Sequence, residues 1–369
     1  MTIIASYNIY GCKVLLADTL ITSQQRNESK PTLPTLGKID STRVDSDFYI
    51  AGNLQKIQIL SDYCAVAYAG KVSLAHQFIT TLSDILKERT LLISDIENTY
   101  KDIDGNTELA IIYLYNTDNE EIISGGLNCV NALSDVLGEV TYRGSGEQAI
   151  TDYIEWLDGQ AYISPPSDDE VVAQAVSITI QQIAQLQMAE IKSENMPESI
   201  KDCFGSGYEI VTFYDGKFNR IDLTYAFIEL SYNKETKNVE INHPYLILSQ
   251  YITNDFLIHD RYQQNNYDCD VDSNLVEYQY DQIITQSLLN LNEDIPAIIP
   301  PDKINNLNFC CFIFHDNFKH GTTMWQSAII RSDTPPINII KYHEGNLYYV
   351  DYSEQAEKQL IGFVSKNYL

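Results

Sequence analysis

Four residues in the first seventy positions have the types and spacing needed for acyl transfer. Thr2 follows directly on Met1, and a second residue this small permits removal of the initiator. A hydroxyl is a poor nucleophile and needs a base beside it. A threonine at a chain terminus brings its own, because an α-amino group titrates at roughly pKa 7.7–8.0 and lies within reach of the hydroxyl. Asp18 ends the strand that returns alongside the one Thr2 opens, so it comes back close to Thr2. Lys56 opens a later strand, and Gly70, fourteen positions on, stands where a strand gives way to a helix. A buried ammonium beside the hydroxyl lowers its pKa, and the carboxylate keeps that ammonium charged and oriented. The backbone N–H of Gly70, near a helix N-terminus, is placed to donate to a developing oxyanion. Lys38 competes for the lysine's role because it lies nearer Asp18 in sequence; Lys56 is preferred because only it keeps a strand-turn-strand path to Gly70. Taken singly, each residue has a plainer reading as a turn, a solvated face or a cap.

The elements that must position them follow from hydrophobic period. Thr2–Tyr7 and Lys13–Ala17 are β-rich runs joined by a turn with Asn8 and Gly11. Residues 23–52 are polar, with Pro31 and Pro34, and read as an inserted loop or extra hairpin. Lys56–Leu60 and Cys64–Ala69 form a second strand pair. Val72, Ala75, Phe78, Ile79, Leu82 and Leu86 then recur at helical spacing. Strands follow at Glu108–Tyr115, Glu120–Ser124 and Val136–Tyr142. A helix runs from Gly144-Ser145-Gly146 through Trp156, and a longer one from a capping box at Ser167 to about Ile191. Further strands are expected at Gly207–Tyr214, Lys217–Leu223 and Tyr225–Tyr232. Antiparallel strands with helices grouped in pairs suggest two sheets between helical layers. Beyond Asn233–Asn238 lie strand candidates Tyr245–Leu248, Phe309–Phe314, Met324–Arg331 and Leu347–Val350, and helix candidates Gln279–Leu291 and Ser353–Ser365.

Five short motifs occur in a fixed order: Thr2-Ile3-Ile4; Ala17-Asp18; Lys56-Ile57 with Ala69-Gly70; Gly144-Ser145-Gly146; and Asp202 with Ser206-Gly207. In this order they resemble proteasome β-type subunits and the bacterial ATP-dependent peptidase of the same fold, which are N-terminal nucleophile (Ntn) hydrolases. The resemblance covers residues 2 to about 230. It implies an α+β fold, a four-layer αββα Ntn-hydrolase sandwich, with an additional smaller α+β region after it. The expected domains are residues 1–232 and 233–369. Carried across, Thr2 would be the nucleophile once Met1 is removed, with its amine as proton shuttle. Lys56 would tune the hydroxyl, Asp18 would pair with Lys56, and Gly70 would supply the oxyanion hole. Ser145, Asp202 and Ser206 would hold the amino terminus by hydrogen bonds. The implied reaction is attack on an amide, an acyl-enzyme ester, and its hydrolysis, with no cofactor and no metal.

The same resemblance implies a peptide or protein substrate, self-association into a ring, and an ATP-dependent unfoldase as partner. Several features depart from the family pattern. Asp18 and Lys56 are about two dozen residues further apart, Leu20 stands where active subunits carry arginine, and Gly205 adds a residue before Ser206. No propeptide ends in Gly-Thr, so maturation would depend on Met1 removal. Two other readings stand beside the peptidase: a non-catalytic scaffold of the same fold, and a small-molecule amidase of the Ntn class.

Composition sets the outer limits. The 369 residues favour two domains. With 24 basic and 51 acidic residues the net charge is −27, which disfavours binding to nucleic acid or to anionic membranes through a basic face. Seven cysteines without a CxxC pair read as buried thiols in a cytoplasmic protein, and no apolar run approaches the length of a membrane span. Asp268, Asp270 and Asp272 imitate half a calcium loop, but Ser273 and Gln279 break the pattern, leaving an acidic turn. His315, Asp316 and His320 read as surface polar residues after a buried strand.

Overall fold

The computed structural model describes residues 2–26, 30–39, 43–45, 48–117, 121–159, 165–233, 238–265, 275–291, 294–296, 309–316, 324–330, 335–342 and 346–368. The protein is a strand-rich α+β molecule of two compact units. The first comprises Met1–Ile221 with Asn254–Leu257 and Thr285–Ile295; the second comprises Asp222–Thr253, Ile258–Ile284 and Pro296–Leu369. The first change of unit along the chain is at Ile221/Asp222. The reason is the strand Leu223–Asn233, which pairs antiparallel with Leu246–Thr253 and parallel with Phe309–Asp316, all in the second unit.

The first unit is organised by a hairpin. Ile3–Ile9 and Cys12–Asp18 are joined by Tyr10-Gly11, both at positive φ (51° and 88°), as a two-residue turn that follows the natural strand twist requires. That turn pins Ile4 opposite Ala17, which puts Ile3 level with Asp18 and Thr2 one residue further on, at the hairpin's open end. The antiparallel sheet around it runs Val130–Ser134, Gly138–Gly144, Ile3–Ile9, Cys12–Asp18, Tyr208–Tyr214, Lys217–Arg220. A second antiparallel sheet runs Ile122–Leu127, Leu109–Asn116, Cys64–Gly70, Ile57–Ser61.

Strand alternation decides what each face meets. Ile4, Leu15, Ala17 and Val211 of the first sheet share one apolar cluster with Ile57, Ala67, Ile112 and Leu114 of the second. On the other face of the second sheet, Val66, Tyr68 and Ile111 pack with Phe78, Ile79 and Leu82 of helix Val72–Glu88 and Ile96 of helix Ile93–Lys101. Each such fully buried side chain is worth ~1.5–3 kcal/mol in apolar transfer. Helix Val171–Ile191 lies against Cys12–Asp18 and Tyr208–Tyr214, and helix Glu147–Asp158 against Gly138–Gly144.

The polar insertion after Asp18 is a small subassembly. Leu20–Ser23, Phe48–Asn53 and Arg43–Asp45 form a three-stranded sheet, with a two-stranded ribbon at Thr32–Leu33 and Gly37–Lys38. Leu20, Leu33 and Ile50 give it an apolar core, completed by Ile200 of the short helix Glu198–Lys201. Its ends meet, because the Leu54 N–H donates to the Thr19 carbonyl at 2.8 Å. The long sequence gap between Asp18 and Lys56 thus closes to almost nothing in space.

The second unit is built on one large, mostly antiparallel sheet. Its order is Met324–Ile330, Phe309–Asp316, Leu223–Asn233, Leu246–Thr253, Phe256–Gln264, Leu275–Thr285, Leu347–Tyr352, Ile337–Lys341, with Asn238–Ile241 beside Leu223–Asn233. The helix expected over Gln279–Leu291 is not there. Leu275–Thr285 is a strand with Val276 and Tyr278 buried on alternate positions, followed by a short 3-10 turn at Leu288–Asn290. Period two over VEYQY outweighs the apolar spacing of the residues after it. The last described element is helix Glu354–Tyr368. The calcium-like stretch 268–274 and His320 lie outside the described residues, as do the side chains of His315 and Asp316. No helix among the described residues is long and apolar enough to cross a membrane.

Candidate functional site at Thr2

At the open end of the hairpin, three buried polar side chains meet. The Lys56 ammonium donates to Thr2 Oγ1, to Asp18 Oδ1 at 2.7 Å and to the Leu20 carbonyl at 2.6 Å. Thr2 Oγ1 in turn donates to Asp18 Oδ1. Thr2, Asp18 and Lys56 are 1%, 0% and 2% exposed. Charges so buried persist only when paired and hydrogen-bonded. Asp18 meets this condition, since its carboxylate also accepts from the N–H groups of Ile3 (2.9 Å), Leu20 (3.2 Å) and Gly205 (2.9 Å). Burial pushes the Lys56 ammonium below its usual range, and the Asp18 and Glu209 carboxylates pull it back up. An ammonium so placed stabilises negative charge on Thr2 Oγ1.

Beside this triad is a cleft of about 30 Å³ lined by Thr2, Ile21, Thr22, Lys56, Tyr68, Ala69, Gly70 and Val72. It has room for a water-sized group next to the hydroxyl. Gly70 forms its wall at the point where strand Cys64–Gly70 hands over to helix Val72–Glu88. Its φ is +105°, and a Cβ there would come within 2.1 Å of the Glu108 carbonyl oxygen. Only glycine fits that approach.

The Gly144-Ser145-Gly146 turn grips the Thr2 main chain. The Gly146 N–H (3.2 Å) and Ser145 Oγ (3.4 Å) both donate to the Thr2 carbonyl, while Gly144, at φ +123°, leaves no room for a Cβ, which would sit 1.9 Å from that same oxygen. Ser206 is fully buried at φ +75°, and its Oγ has no hydrogen-bond partner among the described residues. Asp202 is exposed after the short helix Glu198–Lys201 and does not line the Thr2 cleft. With Ser145 it lines a separate groove of about 620 Å³. Lys38 is exposed on the insertion's ribbon, so the lysine at Thr2 is Lys56.

Two carboxylates at the site were not picked out from the sequence. Glu209 Oε1 accepts the N–H groups of Lys56 (2.6 Å) and Ile57 (3.2 Å), and its other oxygen pairs with Arg220. Glu190 accepts from Thr35 Oγ1 (2.6 Å), Ser199 Oγ (3.1 Å), Tyr208 OH (3.1 Å) and the Ser206 N–H (3.2 Å). Burial pushes its carboxyl up to about 7, against the pull of those donors. The signal for Glu209 was an acidic residue inside the apolar run YEIVTF; Glu190, near the end of the long helix in MAEIKSE, carries no such local signal.

Among the described residues, no group of three or more His, Cys, Asp or Glu side chains is arranged to hold a metal ion. Compared with known proteins, the chain matches no family model and no curated sequence.

Proposed function

We propose that this chain is a threonine-type amide hydrolase, most simply a proteasome-like peptidase, with Thr2 as its N-terminal nucleophile after Met1 is removed. On this reading the two facing sheets and their flanking helices form the four-layer αββα sandwich of the Ntn hydrolases. The observation that supports it most is the buried contact of Thr2 Oγ1 with both the Lys56 ammonium and the Asp18 carboxylate. The freed α-amine accepts the hydroxyl proton as Oγ1 attacks the substrate carbonyl carbon. Lys56 holds the forming negative charge at Oγ1, and the Gly70 N–H receives the oxyanion. The tetrahedral intermediate collapses to an ester on Thr2, the amine passing its proton to the departing nitrogen. Water, deprotonated by the same amine, then releases the acid. Ser206 Oγ, buried and without a hydrogen-bond partner among the described residues, would hold the amine on this reading. An orphaned buried hydroxyl costs ~1–3 kcal/mol, which such a bond would recover.

The test is hydrolysis of a panel of fluorogenic peptide amides by wild-type protein and Thr2→Ala. Turnover that disappears with Thr2→Ala supports the reading; turnover unaffected by it, or none in either protein, rejects it. The scaffold reading draws on a different observation, the 1% exposure of Thr2 and the small cleft beside it. It predicts a retained Met1 and no turnover.

A further inference from the structure

We propose that Glu209, held by Arg220, is a positioning residue that sets where Lys56 meets Thr2. The proposal rests on the hydrolase reading and deepens it. Glu209 lies in strand Tyr208–Tyr214 of the first sheet, opposite Ala17 and next to the Tyr208–Asp18 pair. Its side chain leaves that sheet and is taken up by the second, where it binds the main-chain N–H groups of Lys56 and Ile57. Arg220 completes a clamp, pairing with Glu209 through Nη1 and donating from Nη2 to the Ile57 carbonyl. One ion pair therefore holds the main chain from the Lys56 N–H to the Ile57 carbonyl, the stretch from which the Lys56 side chain departs. That pair is nearly dry, with side-chain exposures of 14% for Arg220 and 1% for Glu209.

The chemistry chosen is informative. A glutamine would accept the same two N–H groups without the desolvation cost of a buried carboxylate. Accepting those two N–H groups alone does not require the charge; pairing with the nearly buried Arg220 does. The charge does matter to Lys56, whose ammonium sits in the same dry interior and feels Glu209 as well as Asp18. Asp18 bonds the ammonium directly. Glu209 fixes the backbone from which the ammonium reaches and adds a second negative charge behind it. A lysine displaced by about 1 Å would lose on the order of 10²-fold in rate.

The experiment compares wild type with Glu209→Gln in two readouts: the pH profile of amide hydrolysis, and titration of the Lys56 ammonium by nitrogen NMR on lysine-labelled protein. Glu209→Gln should lower kcat by about 10- to 100-fold with KM within about twofold. It should also move the alkaline limb, and the Lys56 midpoint, to lower pH, because removing a neighbouring negative charge makes the ammonium release its proton earlier. A merely structural clamp would lower stability and leave the limb and the midpoint in place; that result overturns the proposal. If wild type shows no Thr2-dependent turnover, the hydrolase reading fails by itself and the NMR midpoint alone decides the role of Glu209. If Glu209→Gln does not fold, Glu209→Asp takes its place. It keeps the charge but draws the carboxylate back from both N–H groups, so a reduced kcat, or without turnover a shifted Lys56 signal, supports the proposal, and wild-type behaviour overturns it.

Discussion

Asp18 accepts hydrogen bonds from Thr2, Ile3, Leu20, Lys56 and Gly205, so the stability of the site and its chemistry pass through the same carboxylate. Its pairing with Lys56 makes a direct prediction. Lys56→Met keeps the apolar stem but leaves Asp18 buried opposite no cation, a situation that costs about 3–5 kcal/mol. Urea unfolding should register that loss, and Asp18→Asn combined with Lys56→Met should recover most of it, since the pair is removed as a unit. Hydrolysis should fall by ~10³-fold or more in Thr2→Ala and stay low in the double variant even where stability returns. Stability regained without activity is the signature of a lysine placed for chemistry.

At the scale of elements, two hinges of the design are testable. Gly70→Ala puts a methyl 2.1 Å from the Glu108 carbonyl oxygen at a φ of +105°. It should cost at least ~2 kcal/mol in unfolding and abolish hydrolysis by shifting the cleft wall. Glu190 ties the insertion, the short helix, the Ser206 turn and strand Tyr208–Tyr214 together. Its carboxyl is raised from 4.5 to about 7, so between these values the folded protein keeps a proton that the unfolded chain has released. The contribution is fully present below the lower value and is lost as pH rises through the upper, by on the order of 3 kcal/mol. Wild type should therefore lose stability relative to Glu190→Gln between pH 4.5 and 8, and parallel curves for the two proteins would reject this. Much of this element layer was readable beforehand. The hairpin, the helix after Gly70 and the long helix to Ile191 each declare themselves by period and by the residues at their ends. The choice of Lys56 over Lys38 was harder. It depends on the insertion closing through Leu54 and Thr19, a contact that no local pattern encodes. Glu190 and Glu209 were missed because an acidic residue in a strand or helix looks like a solvated one until its neighbours in space are known. Gln279–Leu291 was misread because its strand character comes from residues before it, Val276 and Tyr278.

The whole molecule carries a net charge of −27, and copies of it repel one another at low ionic strength. The first unit nonetheless exposes Leu133 (78%), Leu92 (53%) and Trp156 (40%), large apolar side chains of the kind that contacts between subunits cover. If the chain assembles as the proposed peptidase family does, sedimentation should show a species of several copies. That species should be favoured on going from about 10 mM to about 150 mM salt, as the Debye length shrinks from ~30 to ~8 Å. A monomer at all salt concentrations would rule out a ring. Whether Thr2 heads the mature chain and carries the acyl group is read most directly by tandem mass spectrometry. The N-terminal peptide would be taken from protein quenched in acid during turnover of a peptide ester. The expected result is a peptide that begins at Thr2 and bears the acyl group on its side-chain oxygen. A peptide that begins at Met1, with Thr2 unmodified, would contradict it.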